Sequence, residues 1–221
     1  MTFTETLLFS LAAALLSLDQ MACFQMLLSR PILTALILGA LFGNLTDAAL
    51  VGVCLELLFV RTISVKERAS ADPTLATAAA LGGIWGVSTA LHPLALAPFA
   101  AALGLLASFL SKWFDVRLRN VNVTLSHVLH HAGMIQLTAA AALLAKSFGF
   151  YFLTILAVQG ALPKIVAALG AHAPAAGVFA WLALVPVCLG HASATLQQTV
   201  PRGVWLLGLG VGLAGVLAVR L

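Results

Sequence analysis

The sequence predicts an all-α, polytopic membrane protein of about seven to nine membrane elements, including short or re-entrant helical hairpins and an interfacial amphipathic segment. Three observations carry this. Of 221 residues, 62% are hydrophobic and only 8% are charged, where a soluble domain carries about 25% charged residues. The apolar runs are continuous and rich in Leu and Ala, giving a mean hydropathy of +1.10 without the alternation of a transmembrane β-strand. Several of those runs are also too short to cross a hydrocarbon core of about 30 Å. A water-soluble globular domain and a disordered chain are both excluded. A single integral membrane domain over 1–221 is expected.

Residues 6–18 form the first expected helix. Met1 to Glu5 contains an acid and no base, so this segment reads as a retained membrane helix rather than a cleaved signal peptide. Two short apolar segments follow, 31–42 and 47–60, separated by Gly43-Asn44. At 1.5 Å per residue they reach about 18 and 21 Å. Neither crosses the core untilted, so the pair is expected to enter the membrane and turn back as a helical hairpin. Short or Gly-interrupted segments of this kind point to a transporter binding site.

From Pro73 to Ser111 no charge occurs over 39 positions, enough for two helices, with His92-Pro93 and Pro98 punctuating the middle. Arg61, Lys66 and Arg68 precede this hairpin, and Lys112, Arg117 and Arg119 follow it. A two-span hairpin returns both clusters to one side, which the positive-inside rule makes cytoplasmic. The net charge of +4 is thus read as topology, not as nucleic-acid binding. Residues 112–133 mix charge, Trp113 and apolar residues, and an amphipathic segment in the cytoplasmic interface is expected there. Further apolar segments are expected at 134–145, 147–162, about 175–190 and 203–219. Breaks are expected at Gly170–Gly177 and at Pro201–Gly203, and Arg220 can snorkel to an interface.

The chemistry concentrates between Asp19 and Ala76. Glu56 lies in Val-Gly-Val-Cys-Leu-Glu-Leu-Leu, and a carboxylate at membrane depth costs on the order of 2.5–3.5 kcal/mol unless paired or wetted. Two readings follow: a structural ion pair with Arg30 or Arg61, or a ligand-facing acceptor in a polar cavity. Asp72 precedes Pro73 and fits a helix N-cap. Asp19, Gln20 and Gln25 place polar groups where the first helix gives way. His127-x-x-His130-His131 matches one histidine box of membrane di-iron enzymes, but His92, His172 and His191 are isolated, so no metal or cofactor is expected. Cys23, Cys54 and Cys188 lie far apart in apolar stretches and read as small buried residues.

In order along the chain, Phe24-Gln25, Ser29-Arg30-Pro31, Leu38-Gly39, Leu41-Phe42-Gly43-Asn44, Val51-Gly52, Leu55-Glu56-Leu57 and Asp72 resemble the IIC subunit of the mannose–fructose–sorbose family of bacterial phosphotransferase (PTS) sugar permeases. The best-matching region is 19–76. The charged segment 65–74 departs from the family by reading Asp-Pro where relatives read Pro-Asp. The resemblance implies a sugar-translocating subunit in the bacterial inner membrane. It would pair with a IID membrane subunit and form an oligomer, while cytoplasmic IIA and IIB phosphocarriers supply the phosphoryl chemistry. It makes Glu56, Asp72, Gln25 and Asn44 the candidate sugar-binding residues, because a carboxylate accepts strong charge-assisted bonds from neighbouring hydroxyls. The alternative reading is an ion-coupled secondary transporter using its intramembrane acids.

The basic bias predicts that both ends of the 73–111 hairpin face the cytoplasm. Single cysteines at Ser70 and Ser111, in a chain lacking its three native cysteines, should resist impermeant thiol reagents added outside intact cells. Rapid labelling from outside would reverse the topology.

Overall fold

The computed structural model describes residues 1–20, 27–59, 72–87, 93–128 and 132–196. Within them the chain folds into α1 (Phe3–Ser17), α2 (Pro31–Phe42), α3 (Leu45–Phe59), α4 (Pro73–Gly86), α5 (Pro93–Val128), α6 (Ala132–Leu169) and α7 (Ala173–Leu196). A 3-10 turn follows α1 at Leu18–Gln20, and another joins α6 to α7 at Gly170–His172. No strand occurs among the described residues.

Local signals set the helix ends. A reciprocal capping box opens α1, with Thr2 Oγ1 accepting from Glu5 N–H at 3.3 Å and Glu5 accepting from Thr2 N–H at 2.7 Å. Helix α2 begins with Pro31 at its first position and stops at Gly43, whose φ of +84° is left-handed. Such a conformation suits glycine at a helix C-terminus. Helices α2 and α3 have 12 and 15 residues, about 18 and 22 Å, and they form the expected short hairpin. Reciprocal small residues let their backbones approach: a Cβ on Gly39 would lie 2.6 Å from Cβ of Ala48, and one on Gly52 would lie 2.6 Å from Cβ of Ala35.

Helix α4 is the centre of the bundle, with every residue from Pro73 to Ile84 buried. A helix apolar on all sides must be enclosed by other helices. Helix α1 lines it through Phe9, helix α5 through Gly104 beside the Ala76 carbonyl, and helix α6 through Ile155 and Val158 against Gly82 and Gly83. These contacts fix the directions: α2 and α6 run with α4, while α1, α3 and α5 run against it. The bundle therefore has two distinct ends. One gathers Asp19, Ser29, Arg30, Glu56, Asp72 and Thr74, and the other gathers Phe9, Phe42 and Trp85.

Three expectations on segmentation change. Residues 112–128 are helical but continue α5 without a break, because nothing between Ser111 and Val128 stops a helix. The expected segments 134–145 and 147–162 are one helix, α6, since the lone Lys146 between them is a good helix former. The expected eight-residue break at 170–177 shrinks to the turn Gly170–His172, with Gly170 at φ +53°; Pro174 is already inside the first turn of α7, where proline is tolerated. The helical stretch Ala140–Leu189 is long and apolar enough to cross a membrane, while Phe3–Ser17, Pro31–Phe42 and Ala95–Ser111 are shorter apolar helices. Segment 203–219, the break at Pro201 and the loop carrying Arg61, Lys66 and Arg68 lie outside the described residues. Ser111 is fully buried and accepts a hydrogen bond from Lys146 at 3.2 Å. Phe114, 45% exposed on the same helix, therefore replaces it as the thiol-labelling position.

The close crossing of α2 and α3 makes a test of the hairpin. Gly39→Ala drives a methyl into Ala48 and should cost about 1–3 kcal/mol, the usual range for overpacking. Ala48→Gly in the same chain should restore part of it, because the Asn44 carbonyl also lies 3.2 Å from the added Cβ. Thermal midpoints of the detergent-purified variants report both effects, and equal midpoints for wild type and Gly39→Ala would refute the packing.

Candidate functional site

Two proline-started helices begin side by side at the polar end. In α2, proline leaves the next N–H, that of Ile32, as an orphan donor inside the bundle. Its own N-cap, Arg30, makes no side-chain cap bond. Glu56 from α3 fills that role: its Oε2 accepts from Ile32 N–H at 3.3 Å, and its Oε1 pairs with the Arg30 guanidinium. The side chains of Arg30 and Glu56 remain 13% and 20% exposed, so the pair is shielded but reachable. Carboxylate, guanidinium and the positive end of α2 thus offset one another.

Helix α4 repeats the arrangement in cis. Asp72, 7% exposed, caps it by accepting from Leu75 N–H at 3.0 Å. Its other oxygen accepts from the Tyr151 hydroxyl of α6 at 2.7 Å. The two helix starts are joined where Thr74 donates to the Ser29 carbonyl at 3.0 Å. Asp72 and Arg30 are thus two residues and one residue from a shared hydrogen bond.

The backbone before α2 is unwound and held from several sides. Leu27 has φ +63°, a left-handed conformation costing a non-glycine residue roughly 1–2 kcal/mol. Its carbonyl accepts from Arg30 N–H at 2.9 Å. Asp19 accepts from Leu28 N–H at 2.7 Å, and Thr34 donates to the Leu28 carbonyl at 2.9 Å. Strain of this kind persists where the surroundings over-determine it, and it clusters at ligand sites.

The expected residues separate into groups. Glu56 and Asp72 are brought to one end, and of the two partners expected for Glu56, Arg30 is the one found. Gln25 lies outside the described residues, as do Arg61 and the histidines 130 and 131. Asn44 is at the tip of the α2–α3 hairpin, where it donates to Asp47 at 2.7 Å. The 12 residues of α2 put it about 18 Å from Glu56, more than one sugar ring can bridge. Tyr151 was not singled out from the sequence, although it is the only tyrosine in the chain and sits in an apolar run, which was the available signal.

At the opposite end, the rings of Phe9 and Phe42 meet edge to face at 4.9 Å, and those of Phe9 and Trp85 at 5.8 Å. The Trp85 indole N–H is buried and has no hydrogen-bond partner among the described residues, at a cost of about 1–3 kcal/mol for an unmet donor.

An all-helical membrane bundle with charged, proline-started helix ends enclosed at one end belongs to the class of solute permeases. More particularly, the chain belongs to the family described as the PTS system sorbose-specific IIC component, whose family model matches residues 3–192. It is the membrane sugar-translocation subunit of a mannose-family PTS and works with other components of that system. The ion-coupled reading falls with this assignment. No individual curated protein matches the chain.

Tyr151→Phe removes the hydroxyl from buried Asp72 while keeping the ring. Losing a bond to a charged group costs about 1.5–3 kcal/mol, so the thermal midpoint should drop, and Asp72→Asn in the same chain should add less than it does alone. Strict additivity of the two changes would show that the pair is uncoupled.

Proposed function

We propose that the polar end, built on the Arg30–Glu56 pair and Asp72, holds the sugar during translocation. The observation that carries this is the meeting of two helix N-termini, each covered by a carboxylate, beside an unwound segment. A hexose offers vicinal hydroxyls, which donate to a carboxylate and accept from a guanidinium. Gln25, close in the chain to Leu27, would complete the set. Asn44 would meet a sugar only at a different point along the path.

The depth of this site supports the reading. Lys146 and Lys164 flank the apolar part of α6, 18 residues or about 27 Å apart, close to the thickness of the hydrocarbon core. Tyr151, and with it Asp72, lies five residues or about 7.5 Å from the Lys146 level. Lys146 meets Ser111 next to the basic 112–119 segment, so the site lies inside the membrane but nearer the cytoplasmic face of a multi-pass inner-membrane protein. A IIB phosphocarrier, charged through IIA, would act from that face, and a IID subunit would complete the membrane unit.

Glu56→Gln decides whether the pair binds sugar or only braces the hairpin. As a sugar acceptor, Glu56 should cost about 1.5–3 kcal/mol when neutralised, roughly 10- to 150-fold in affinity, with membrane abundance and IID pull-down unchanged. As a brace alone, its loss would strand Arg30 at about 3–5 kcal/mol, and abundance would fall instead. Phosphoenolpyruvate-dependent uptake of sorbose, mannose and fructose, measured beside abundance and binding, reads both. Normal abundance with normal affinity would exclude Glu56 from the site.

A further inference from the structure

The unwound segment before α2 carries Arg30 into the polar end, and its backbone groups are met one at a time. The Leu28 carbonyl accepts from the Thr34 hydroxyl of α2, and the Ser29 carbonyl from the Thr74 hydroxyl of α4. The Ile32 N–H donates to Glu56 of α3. The Leu28 N–H donates to Asp19, in the 3-10 turn after α1, at 2.7 Å. Thr34, Thr74 and Glu56 sit on the helices that carry or adjoin the proposed sugar residues. Asp19 comes from the end of α1, which has no residue in that set.

Two observations set Asp19 apart from the other ties. Only 6% of it is exposed, and taking a carboxylate out of water is costly. A neutral oxygen would also accept one N–H, but a charged acceptor makes the stronger bond. The load on that bond is local. Leu27, adjacent to the bonded Leu28, has φ +63°, where a residue with a Cβ is strained. Its side chain is 59% exposed, so packing contributes little to holding it there. In this conformation the Leu27 carbonyl accepts from Arg30 N–H at 2.9 Å, which fixes how Arg30 leaves the loop. Asp19 thus reaches Arg30 through the backbone of Leu27 and Leu28.

We infer that Asp19 is a positioning residue for the sugar site: it locks Leu27–Arg30 so that the Arg30 guanidinium meets Glu56 and the sugar in one geometry. This rests on the reading of the Arg30–Glu56 pair as the sugar site. A group ordered before the ligand arrives does not have to be ordered by it, and that raises affinity. Loss of Asp19 therefore weakens sugar binding without removing any group that touches sugar.

The test is phosphoenolpyruvate-dependent uptake of sorbose, mannose and fructose, read as KM and as maximal rate per inserted chain. Asp19→Ala should raise KM about 10-fold, with maximal rate and membrane abundance unchanged. Asp19→Asn keeps an oxygen in place for Leu28 N–H and should raise KM by about 3-fold or less. Asp19→Glu keeps the charge but displaces the oxygens by a methylene, and it should be worse than Asp19→Asn. Leu27→Gly removes the left-handed strain and should recover about 2- to 5-fold of KM in the Asp19→Ala chain. Arg30→Lys loses the planar fork and should itself raise KM, after which Asp19→Ala should add little. An unchanged KM with reduced abundance in Asp19→Ala would make Asp19 a brace and overturn the proposal. So would Asp19→Glu outperforming Asp19→Asn, no recovery with Leu27→Gly, or full additivity with Arg30→Lys. Normal KM in both Arg30→Lys and Glu56→Gln would refute the sugar site itself. Raised KM in both, with normal KM in Asp19→Ala, would refute the positioning role alone.

Discussion

The bundle depends on covering helix N-termini inside an apolar interior. A proline at the first position removes one orphan donor and fixes φ, but the N–H groups behind it still need acceptors. In α4 the acceptor comes from the adjacent residue, Asp72. In α2 it comes from a different helix, through Glu56. The second solution fastens α3 to the start of α2, and Thr74 and Tyr151 then fasten both to α4 and α6. Remove the carboxylates and four helices lose their common anchor.

The same constraint links stability to function. Charge at membrane depth is tolerated only where it is paired, and a pair that remains partly exposed can exchange one partner for a ligand. Arg30 and Glu56 satisfy both conditions. The groups that hold the hairpin in place are thus the groups we propose for the sugar. At the other end the helices are closed by aromatic packing, with the Met1 ammonium donating to the Trp85 carbonyl at 3.1 Å and Gln159 donating to the Gly82 carbonyl at 2.9 Å. A polar end and an aromatic end about 18–20 Å apart give the bundle a direction, with α2 and α4 running between them.

Short helices make this arrangement possible. Helices α1 to α4 have 15, 12, 15 and 14 residues, so each is shorter than a hydrocarbon core of about 30 Å is thick. Helix α4, buried along almost its whole length, is the axis that the short elements share. The longer α5 and α6 frame them and extend past the Ser111–Lys146 contact on the side carrying the basic residues.

The sequence by itself determined the class, the α2–α3 hairpin and the pairing options of its carboxylate, because these rest on local physics. Composition excludes water, the length of an apolar run sets how far a helix reaches, and Pro31 and Gly43 mark their own helix ends. Glu56 stood out because a lone acid in an apolar run must be compensated. Only the tertiary structure decided that Arg30 pairs with it, that Tyr151 reaches Asp72 across 79 positions, and that Asn44 sits far from both. It also decided that Phe9, Phe42 and Trp85 form one cluster. No periodicity encodes such contacts, since a buried apolar helix is apolar on every face and does not announce which neighbour each face will meet. Long-range pairing of that kind follows from how closely backbones approach at Gly39, Gly52 and Gly104, and that fit exists only once the helices are packed.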